Sequence, residues 1–429
     1  MKITIVGAGS FVFGPSMLAQ ALLENRLDNC ELALMDVDED AVEAMAAVGR
    51  FMATQSSLHG VTVSAHTNLD SALSGAEYVI CCAAKQIASR YKTDCDIINR
   101  YMPDHRVTEF GGIYGIAYSL RQIALVEQIV GVMRRVCPNA WLLNISNPLP
   151  RVCQAAHEEG IKTAGFCSVS SNVLGQMWKL FTGKSTDYPW KDAEDAYAIS
   201  IAGLNHCSFL LSAIDRSNGN DLRKELVSRL KAGATMGSPR CERFAIETGF
   251  LLVPNDHHTA DFLEPDNLPF HPDAPFHGSA EQRAHRIEEL HRVSRGEYPV
   301  STIIKNPSWE RPIDFIQAYS RGGVASFHTL SLSNNDQHIS NMPKDAFVET
   351  SCTVSEGTVT PSSHTMPSST LPLLLRTAEI TSLIVRAART KDRGLVFECV
   401  NLDPTITDKQ AGLRAMTASL DAHADIIGF

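Results

Sequence analysis

The sequence lacks three features: a long uninterrupted apolar run, a block of basic residues, and closely paired cysteines. Without an apolar stretch of about 18 residues it does not predict a transmembrane helix. Its formal net charge of −10 makes nucleic acid or an anionic membrane an unexpected partner. Its eleven cysteines are odd in number and show no CxxC spacing, which indicates reduced thiols. We therefore expect a cytoplasmic protein that acts on a small molecule.

The first part of the chain alternates strand and helix signals. "KITIVGAG", "CELALMDVD", "ALSGAEYVICCAA", "AWLLNISNP" and "IKTAGFC" are short apolar runs, separated by segments with helical periodicity. This alternation predicts an α/β fold, a Rossmann-type doubly wound parallel sheet with its ligand at the carboxyl ends of the strands. The pattern changes near residue 170. We expect a nucleotide-binding domain over 1–170 and an α+β domain that binds substrate over 171–429.

The turn after the first strand has the residues of a dinucleotide site. Gly7 and Gly9 would let the backbone approach a pyrophosphate, and Asp36 ends the second strand, where an acid binds the ribose 2′-hydroxyl of NAD. The third glycine of the usual GxGxxG pattern is late, because it comes only at Gly14. A lone GxG is also found in purely structural turns. Its position and Asp36 together predict NAD in preference to NADP.

Polar residues also follow the later strands. "NISNP" has Asn144 and Asn147 at a strand end, Cys167 ends the next strand, and His206 follows an apolar run in "AGLNH". A thiolate and an imidazole are good ligands for a borderline divalent metal. On these residues alone, a turn at Asn-Pro and a buried thiol with a hydrogen-bonded histidine are the preferred interpretations.

Several motifs in sequence order resemble those of glycoside hydrolase family four, the NAD- and divalent-metal-dependent glycosidases. They are "IVGAGSFVF", "LMDVDED", "SGAEYVI", "YGIAYSLRQI", "NISNP", "AGFC", "GLNH", "NDHHTADF" and "SNNDQHISNMPKDAFVET". The chain is also similar to the NAD-dependent sulfoquinovosidases, and these enzymes lie within the lactate/malate dehydrogenase superfamily. The resemblance implies a substrate domain of that superfamily's type and a homo-oligomer, a dimer or tetramer.

The resemblance also implies a reaction that differs from two-carboxylate glycoside hydrolysis. NAD oxidises the sugar at C3, a base removes the acidified C2 proton, and the glycosidic oxygen leaves by elimination. Water then adds and the hydride returns. The expected substrate is an α-glycoside, with an anionic sugar such as a uronic acid or sulfoquinovose as one candidate.

Residue roles follow from the same resemblance. Those assigned to NAD are Gly7, Gly9, Ser10, Phe11, Asp36 and Asn144. Cys167 and His206 are the expected ligands of a divalent metal, usually Mn2+, and Asn147 and His258 the expected substrate contacts. Asp256 is the candidate base. Glu109 is a candidate proton donor, although a loop glutamate is equally often a surface residue.

One residue departs from the family pattern. The family commonly has Cys-His at the metal strand, whereas this chain has Cys167 followed by Ser168. Three alternatives follow: the metal has fewer protein ligands, the pocket suits another sugar, or the metal is dispensable. Lys85 and Arg90 are candidate contacts to an anionic sugar, or solvated surface charges. A dehydrogenase of the malate/lactate class and a non-catalytic NAD- or sugar-binding protein are the alternative functions.

Overall fold

The computed structural model describes residues 1–270, 279–304 and 310–429. Its centre is a single 12-stranded sheet in the order β3-β2-β1-β4-β5-β6-β10-β11-β7-β8-β9, with β12 paired to β11. The first six strands in the chain are parallel to one another. They are β1 (Lys2–Val6), β2 (Glu31–Met35), β3 (Thr62–His66), β4 (Tyr78–Cys81), β5 (Trp141–Asn144) and β6 (Lys162–Gly165). The predicted doubly wound parallel sheet is confirmed.

Helices connect these parallel strands. They are α1 (Gly14–Ala19), α2 (Glu39–Gln55), α3 (Leu69–Leu73), α4 (Ile87–Tyr101), α5 (Gly112–Val136) and α6 (Leu149–Glu158), with a π-helical turn at Gln20–Glu24 after α1. Among the described residues, α5 is long and apolar enough to cross a membrane. However, 78% of its most apolar window is buried inside the protein. It is the central helix of a large apolar core.

The sheet continues into the second part of the chain without a break. Antiparallel β10 pairs with β6 and leads to the remaining antiparallel strands. These strands are β7 (Tyr197–Leu204), β8 (Cys207–Asp215), β9 (Leu251–Leu252), β10 (Ala325–Ser333), β11 (Phe347–Ser355) and β12 (Thr358–Pro361). The parallel part therefore ends at Gly165, close to the change of pattern near residue 170, but the two parts share one sheet.

The second part also contributes eleven helices among its described residues, together with a 3-10 turn at Val300–Thr302. They are α7 (Val169–Thr182), α8 (Pro189–Ala196), α9 (Leu222–Lys231), α10 (Pro239–Thr248), α11 (Asp256–Thr259), α12 (Ala280–Ser294), α13 (Pro312–Arg321), α14 (Leu371–Thr390), α15 (Arg393–Leu402), α16 (Lys409–Ala422) and α17 (Ala424–Ile427).

The last helices pack back onto the first part of the chain. Apolar residues of α14, α15 and α16 belong to the same buried core as those of α5 and α6. A buried carboxylate joins α16 to α4 and α5, because Asp94 of α4 accepts hydrogen bonds from Arg121 (2.7 Å), Ser419 (2.9 Å) and His423 (2.8 Å). The C-terminal helices are thus part of the structural support of the parallel sheet.

Candidate functional site

A cleft of about 690 Å³ lies at the carboxyl ends of β1, β2 and β4. Gly7, Gly9, Ser10, Phe11 and Asp36 all line it, as the sequence predicts for residues that bind a dinucleotide. The carboxyl end of a parallel sheet, where the strand order reverses beside β1, is the usual place for such a ligand.

Two glycines of the turn are required by close packing. Gly7 has a φ of +90°, and a Cβ there would lie 2.6 Å from the Ala83 nitrogen. Gly14 begins α1, and its Cβ would lie 2.4 Å from the Ala8 carbonyl oxygen and 2.8 Å from the end of the Met45 side chain. Gly14 therefore allows the close helix packing that the third glycine of a standard fingerprint allows.

Asp36 is held by backbone groups at the edge of this cleft. One carboxylate oxygen accepts from the Gly9 nitrogen (2.9 Å), and the other accepts from the Asp38 nitrogen (3.1 Å). Burial raises the pKa of Asp36, while these backbone hydrogen bonds lower it. The fixed carboxylate is positioned to accept hydrogen bonds from a ribose at the end of β2.

Two of the predicted contacts differ in position from the expectation. Asn144 is fully buried and is not among the residues that line the cleft. Its side chain donates to the Ser146 carbonyl (2.8 Å) and accepts from the Ser146 nitrogen (3.3 Å), so it shapes the turn after β5. Lys85, a predicted sugar contact, lines the dinucleotide cleft instead.

A second group of polar side chains lies at the ends of β5, β6 and β7. Ligand atoms of Glu109, His206 and His258 all lie within 4.8 Å of one another. Asn147 donates to Glu109 (3.0 Å), and the Cys167 Sγ lies 3.3 Å from the His206 Nε2. The structure thus brings together five residues that the sequence predicts as substrate, metal or proton-transfer groups, and we call them the Glu109 cluster.

His206 occupies a constrained turn. It is the second residue of the two-residue connection between β7 and β8, where Leu204 pairs with Cys207. Its φ of +60° lies in the left-handed region, which costs a non-glycine residue about 1–3 kcal/mol. Such strain at a buried histidine is consistent with a functional constraint on the direction of the imidazole.

Burial sets the protonation of the thiol and the imidazole. It raises the pKa of the Cys167 thiol well above its usual range, and the negative charge of Glu349 acts in the same direction. Burial also lowers the pKa of His206 far below its usual value, and the neighbouring His258 and His257 reinforce this shift. His206 is therefore neutral near pH 7, with a nitrogen lone pair to offer.

The donor set fits a divalent metal. It combines the imidazoles of His206 and His258 with the Glu109 carboxylate, and the Cys167 sulfur lies beside His206. The His206 Nδ1 is buried without a hydrogen-bond partner in the part of the chain that the structure describes. A borderline cation such as Mn2+ accepts ligands of these types. The two predicted ligands, Cys167 and His206, are in contact with each other.

A buried glutamate that the sequence reasoning did not identify supports this turn. Glu349 of β11 is buried and accepts hydrogen bonds from Asn205 (3.0 Å) and Ser208 (2.7 Å), on either side of His206. Its only signal in the sequence is a charged residue within the apolar run "DAFVET". Such a residue is expected to be paired when it is buried.

Asp256, the candidate base, is engaged in an ion pair. Its carboxylate binds the Arg240 guanidinium (2.7 Å) and also accepts from the Arg240 backbone nitrogen. Arg240 is almost fully buried and also binds Asp266 (2.7 Å). Sequence reasoning did not identify Arg240, and its pairing removes the free carboxylate that we expected at Asp256.

Arg90 and Ser168 have hydrogen-bond partners outside the Glu109 cluster. Arg90 binds Asp425 and the Ala422 carbonyl (3.1 Å), so it joins α4 to the C-terminal helices. Ser168, which replaces the usual histidine, donates to the Glu310 carboxylate (2.8 Å). Burial raises the pKa of Glu310, and the Ser168 hydrogen bond lowers it. Arg90 is thus engaged with the C-terminal helices, and its contact with an anionic sugar stays a prediction.

Comparison with known proteins identifies the same family in both parts of the chain. Residues 2–182 match the profile of the family 4 glycosyl hydrolases, and residues 201–406 match the profile of the C-terminal domain of this family. The two matches together cover most of the 429 residues.

Individual relatives match over nearly their whole length. An α-galactosidase from Bacillus subtilis (strain 168) is 26% identical, with 99% of this chain and 98% of that protein covered. An α-galacturonidase from the same organism is 23% identical, with 95% and 93% covered. The crystal structure of a 6-phospho-α-glucosidase from gut microorganisms, in complex with NAD and Mn2+, has a TM-score of 0.76. It is 20% identical and covers 99% of this chain and 98% of that one.

Proposed function

The chain belongs to the family 4 glycosyl hydrolases, and from that premise we propose that it is an NAD- and Mn2+-dependent α-glycosidase. The observation that carries the proposal is that two sites lie side by side at the carboxyl ends of the parallel strands. The dinucleotide cleft lies at β1, β2 and β4, and the Glu109 cluster lies at the adjacent ends of β5 and β6.

A short segment after β5 joins the two sites. Ser146 donates to the carbonyl of Ala83, which lines the cleft (3.0 Å), and the next residue, Asn147, binds Glu109. A sugar held by Asn147 would therefore lie beside the end of the cleft nearest β5. This placement suits hydride transfer between a sugar carbon and a dinucleotide.

The proposed reaction needs chemistry that the side chains alone do not supply. When bound, NAD accepts and returns the hydride of the sugar C3, and a divalent metal stabilises negative charge on a neighbouring sugar oxygen. The chain contributes the metal ligands Cys167 and His206, the cleft, and groups that bind sugar and move protons. His258 faces the same space as a sugar or metal contact.

Glu109 is our proposed proton acceptor at C2. Its carboxylate lies within 4.8 Å of the His206 and His258 nitrogens, and Asn147 fixes one of its oxygens. Asp256 is the second candidate, because the family resemblance predicts it. We favour Glu109, since Arg240 engages both carboxylate oxygens of Asp256, whereas the Glu109 carboxylate lies beside His206 and His258.

An uncharged sugar is our proposed substrate. Neither predicted cation faces the Glu109 cluster, because Lys85 lines the dinucleotide cleft and Arg90 binds Asp425. A carboxylate or sulfonate near Glu109 would meet a like charge. The α-galactosidase relative supports an α-galactoside as the first substrate to test.

The test is hydrolysis of nitrophenyl α-glycosides in D2O, with NAD and Mn2+ each present or withheld. The panel contains galactoside, glucoside, galacturonide, glucuronide and sulfoquinovoside. We expect release of nitrophenol that requires both NAD and Mn2+. We also expect no net formation of NADH, and deuterium at C2 of the sugar. Net NADH without cleavage would indicate a dehydrogenase, and dinucleotide binding without either reaction would indicate a non-catalytic protein.

The base is tested by exchange of the C2 proton in two matched variants. Glu109→Gln keeps an oxygen for the Asn147 hydrogen bond but removes the basic carboxylate, and we expect it to abolish deuterium exchange. Asp256→Asn should retain exchange if Glu109 is the base. The opposite pair of results would assign the base to Asp256.

A further inference from the structure

Helix α12, from the second part of the chain, forms one wall of the dinucleotide cleft. Ser279, Ala280, Gln282, Arg283 and Arg286 of this segment line the cleft opposite the glycine turn. The helix also packs against α2, which follows the strand that carries Asp36. Of the two arginines in this wall, Arg283 lies at the end of the cleft near Asp36 and Asp38, whereas Arg286 pairs with Glu289.

Arg283 contacts both Asp38 and Phe11 at this end of the cleft. Its Nε donates to an Asp38 carboxylate oxygen (2.9 Å), and its Nη2 donates to the same oxygen. Its guanidinium carbon lies 5.4 Å from the centre of the Phe11 ring. Phe11 also lines the cleft, so Arg283 connects the glycine turn to the residue two positions beyond Asp36.

Asp36 and Asp38 have different partners. The two oxygens of Asp36 accept from the backbone nitrogens of Gly9 and Asp38. One oxygen of Asp38 accepts from Arg283, and the other accepts from the Ala41 nitrogen at the start of α2 (2.9 Å). A 2′-phosphate on the ribose would approach both carboxylates. The nearby arginine that could bind it is already paired.

We propose that Asp38 determines the choice between NAD and its 2′-phosphorylated form, NADP, by holding Arg283 in an ion pair. With Asp38 ionised, the arginine is neutralised and a 2′-phosphate is rejected. Without that charge, Arg283 would bind the phosphate through charge-assisted hydrogen bonds. This inference rests on the proposed function, because it presumes that the cleft binds a dinucleotide.

The chain offers a variant that separates the two roles of Asp38. In Asp38→Asn, the side-chain oxygen can still cap α2 at Ala41, since asparagine is as good an N-cap as aspartate. The amide nitrogen would then replace the oxygen that faces Arg283. Because both groups are donors, the pair breaks while the helix cap remains.

The experiment is calorimetric titration of the full chain with NAD and with NADP. We expect Asp38→Asn to shift the ratio of dissociation constants toward NADP by about tenfold, the effect of one charge-assisted hydrogen bond to a phosphate. Adding Arg283→Ala to that variant should remove the gain. Arg283→Ala alone should shift the ratio away from NADP, because it leaves Asp38 unneutralised. Arg292→Ala, on the same helix but paired with Glu288, is the control and should leave the ratio unchanged.

Three results would overturn the inference. One is an unchanged ratio in both Asp38→Asn and Arg283→Ala. Another is a gain in Asp38→Asn that persists without Arg283, because the charge of Asp38 would then act by repulsion alone. Failure of the unaltered chain to bind either nucleotide would reject the proposed cofactor as well, which distinguishes that failure from the first two.

Discussion

Asp261 provides a sharp test of how the Glu109 site is built. It is buried, and one of its oxygens accepts a hydrogen bond from the backbone nitrogen of Phe110, the residue after Glu109 (3.0 Å). The same oxygen lies 3.9 Å from the His258 Nδ1. One carboxylate therefore lies between the loop that carries Glu109 and helix α11, which carries His258.

We expect Asp261→Ala to reduce the free energy of unfolding by about 2 kcal/mol, because it leaves the buried Phe110 nitrogen without an acceptor. The loop that carries Glu109 would also be released. A displacement of about 1 Å at a reacting group costs about 100-fold in rate, so kcat should fall by that factor. Asp261→Asn keeps an acceptor oxygen and should lose less than about 1 kcal/mol.

The assay combines urea unfolding, followed by tryptophan fluorescence, with α-glycoside hydrolysis in the presence of NAD and Mn2+. The decisive comparison is between Asp261→Ala and Asp261→Asn. Equal stability of the two variants, or wild-type kcat in Asp261→Ala, would refute the positioning role of this carboxylate.

Three other predictions concern the cleft, the metal and the core. Gly7→Ala should abolish NAD binding in calorimetry, because its Cβ would overlap Ala83, whereas Gly131→Ala on open helix surface should bind NAD normally. Cys167→Ala should remove Mn2+ binding; in the unaltered chain Mn2+ affinity should rise with pH, because burial raises the pKa of the thiol and the metal must displace its proton. Asp94→Ala should lower the free energy of unfolding by about 3–5 kcal/mol in urea titrations, since Arg121 would be left as a buried charge without its carboxylate.

The parallel half of the sheet could be predicted because its information is local. Each apolar run is bounded by turn residues, and Gly7 and Asp36 belong to a recurring strand-turn-helix unit. The late Gly14 also had a local meaning, since it permits α1 to pack onto the Ala8 carbonyl. The antiparallel extension from β7 to β12 has no comparable alternation with helices, and we expected only an α+β domain there.

The candidate site depends even more on contacts between residues that are distant in the sequence. Cys167 and His206 were assigned through family motifs, and the structure brings them to 3.3 Å. The pairing of Asp256 with Arg240 could not be read from the sequence, because residues 16 positions apart meet only through the packing of α10 against α11. The contact between Asp38 and Arg283 spans 245 positions and depends on where α12 docks.

The return of the C-terminal helices has a consequence for how this chain can be divided. A fragment that ends at residue 170 would retain the glycine turn, but it would expose the apolar surfaces of α5 and α6 that α14, α15 and α16 cover. It would also lose the α12 wall of its own cleft. We expect such a fragment to aggregate. The nucleotide-binding half is therefore not an independent folding unit. A chimaera that joins it to another catalytic half would also have to include the last helices.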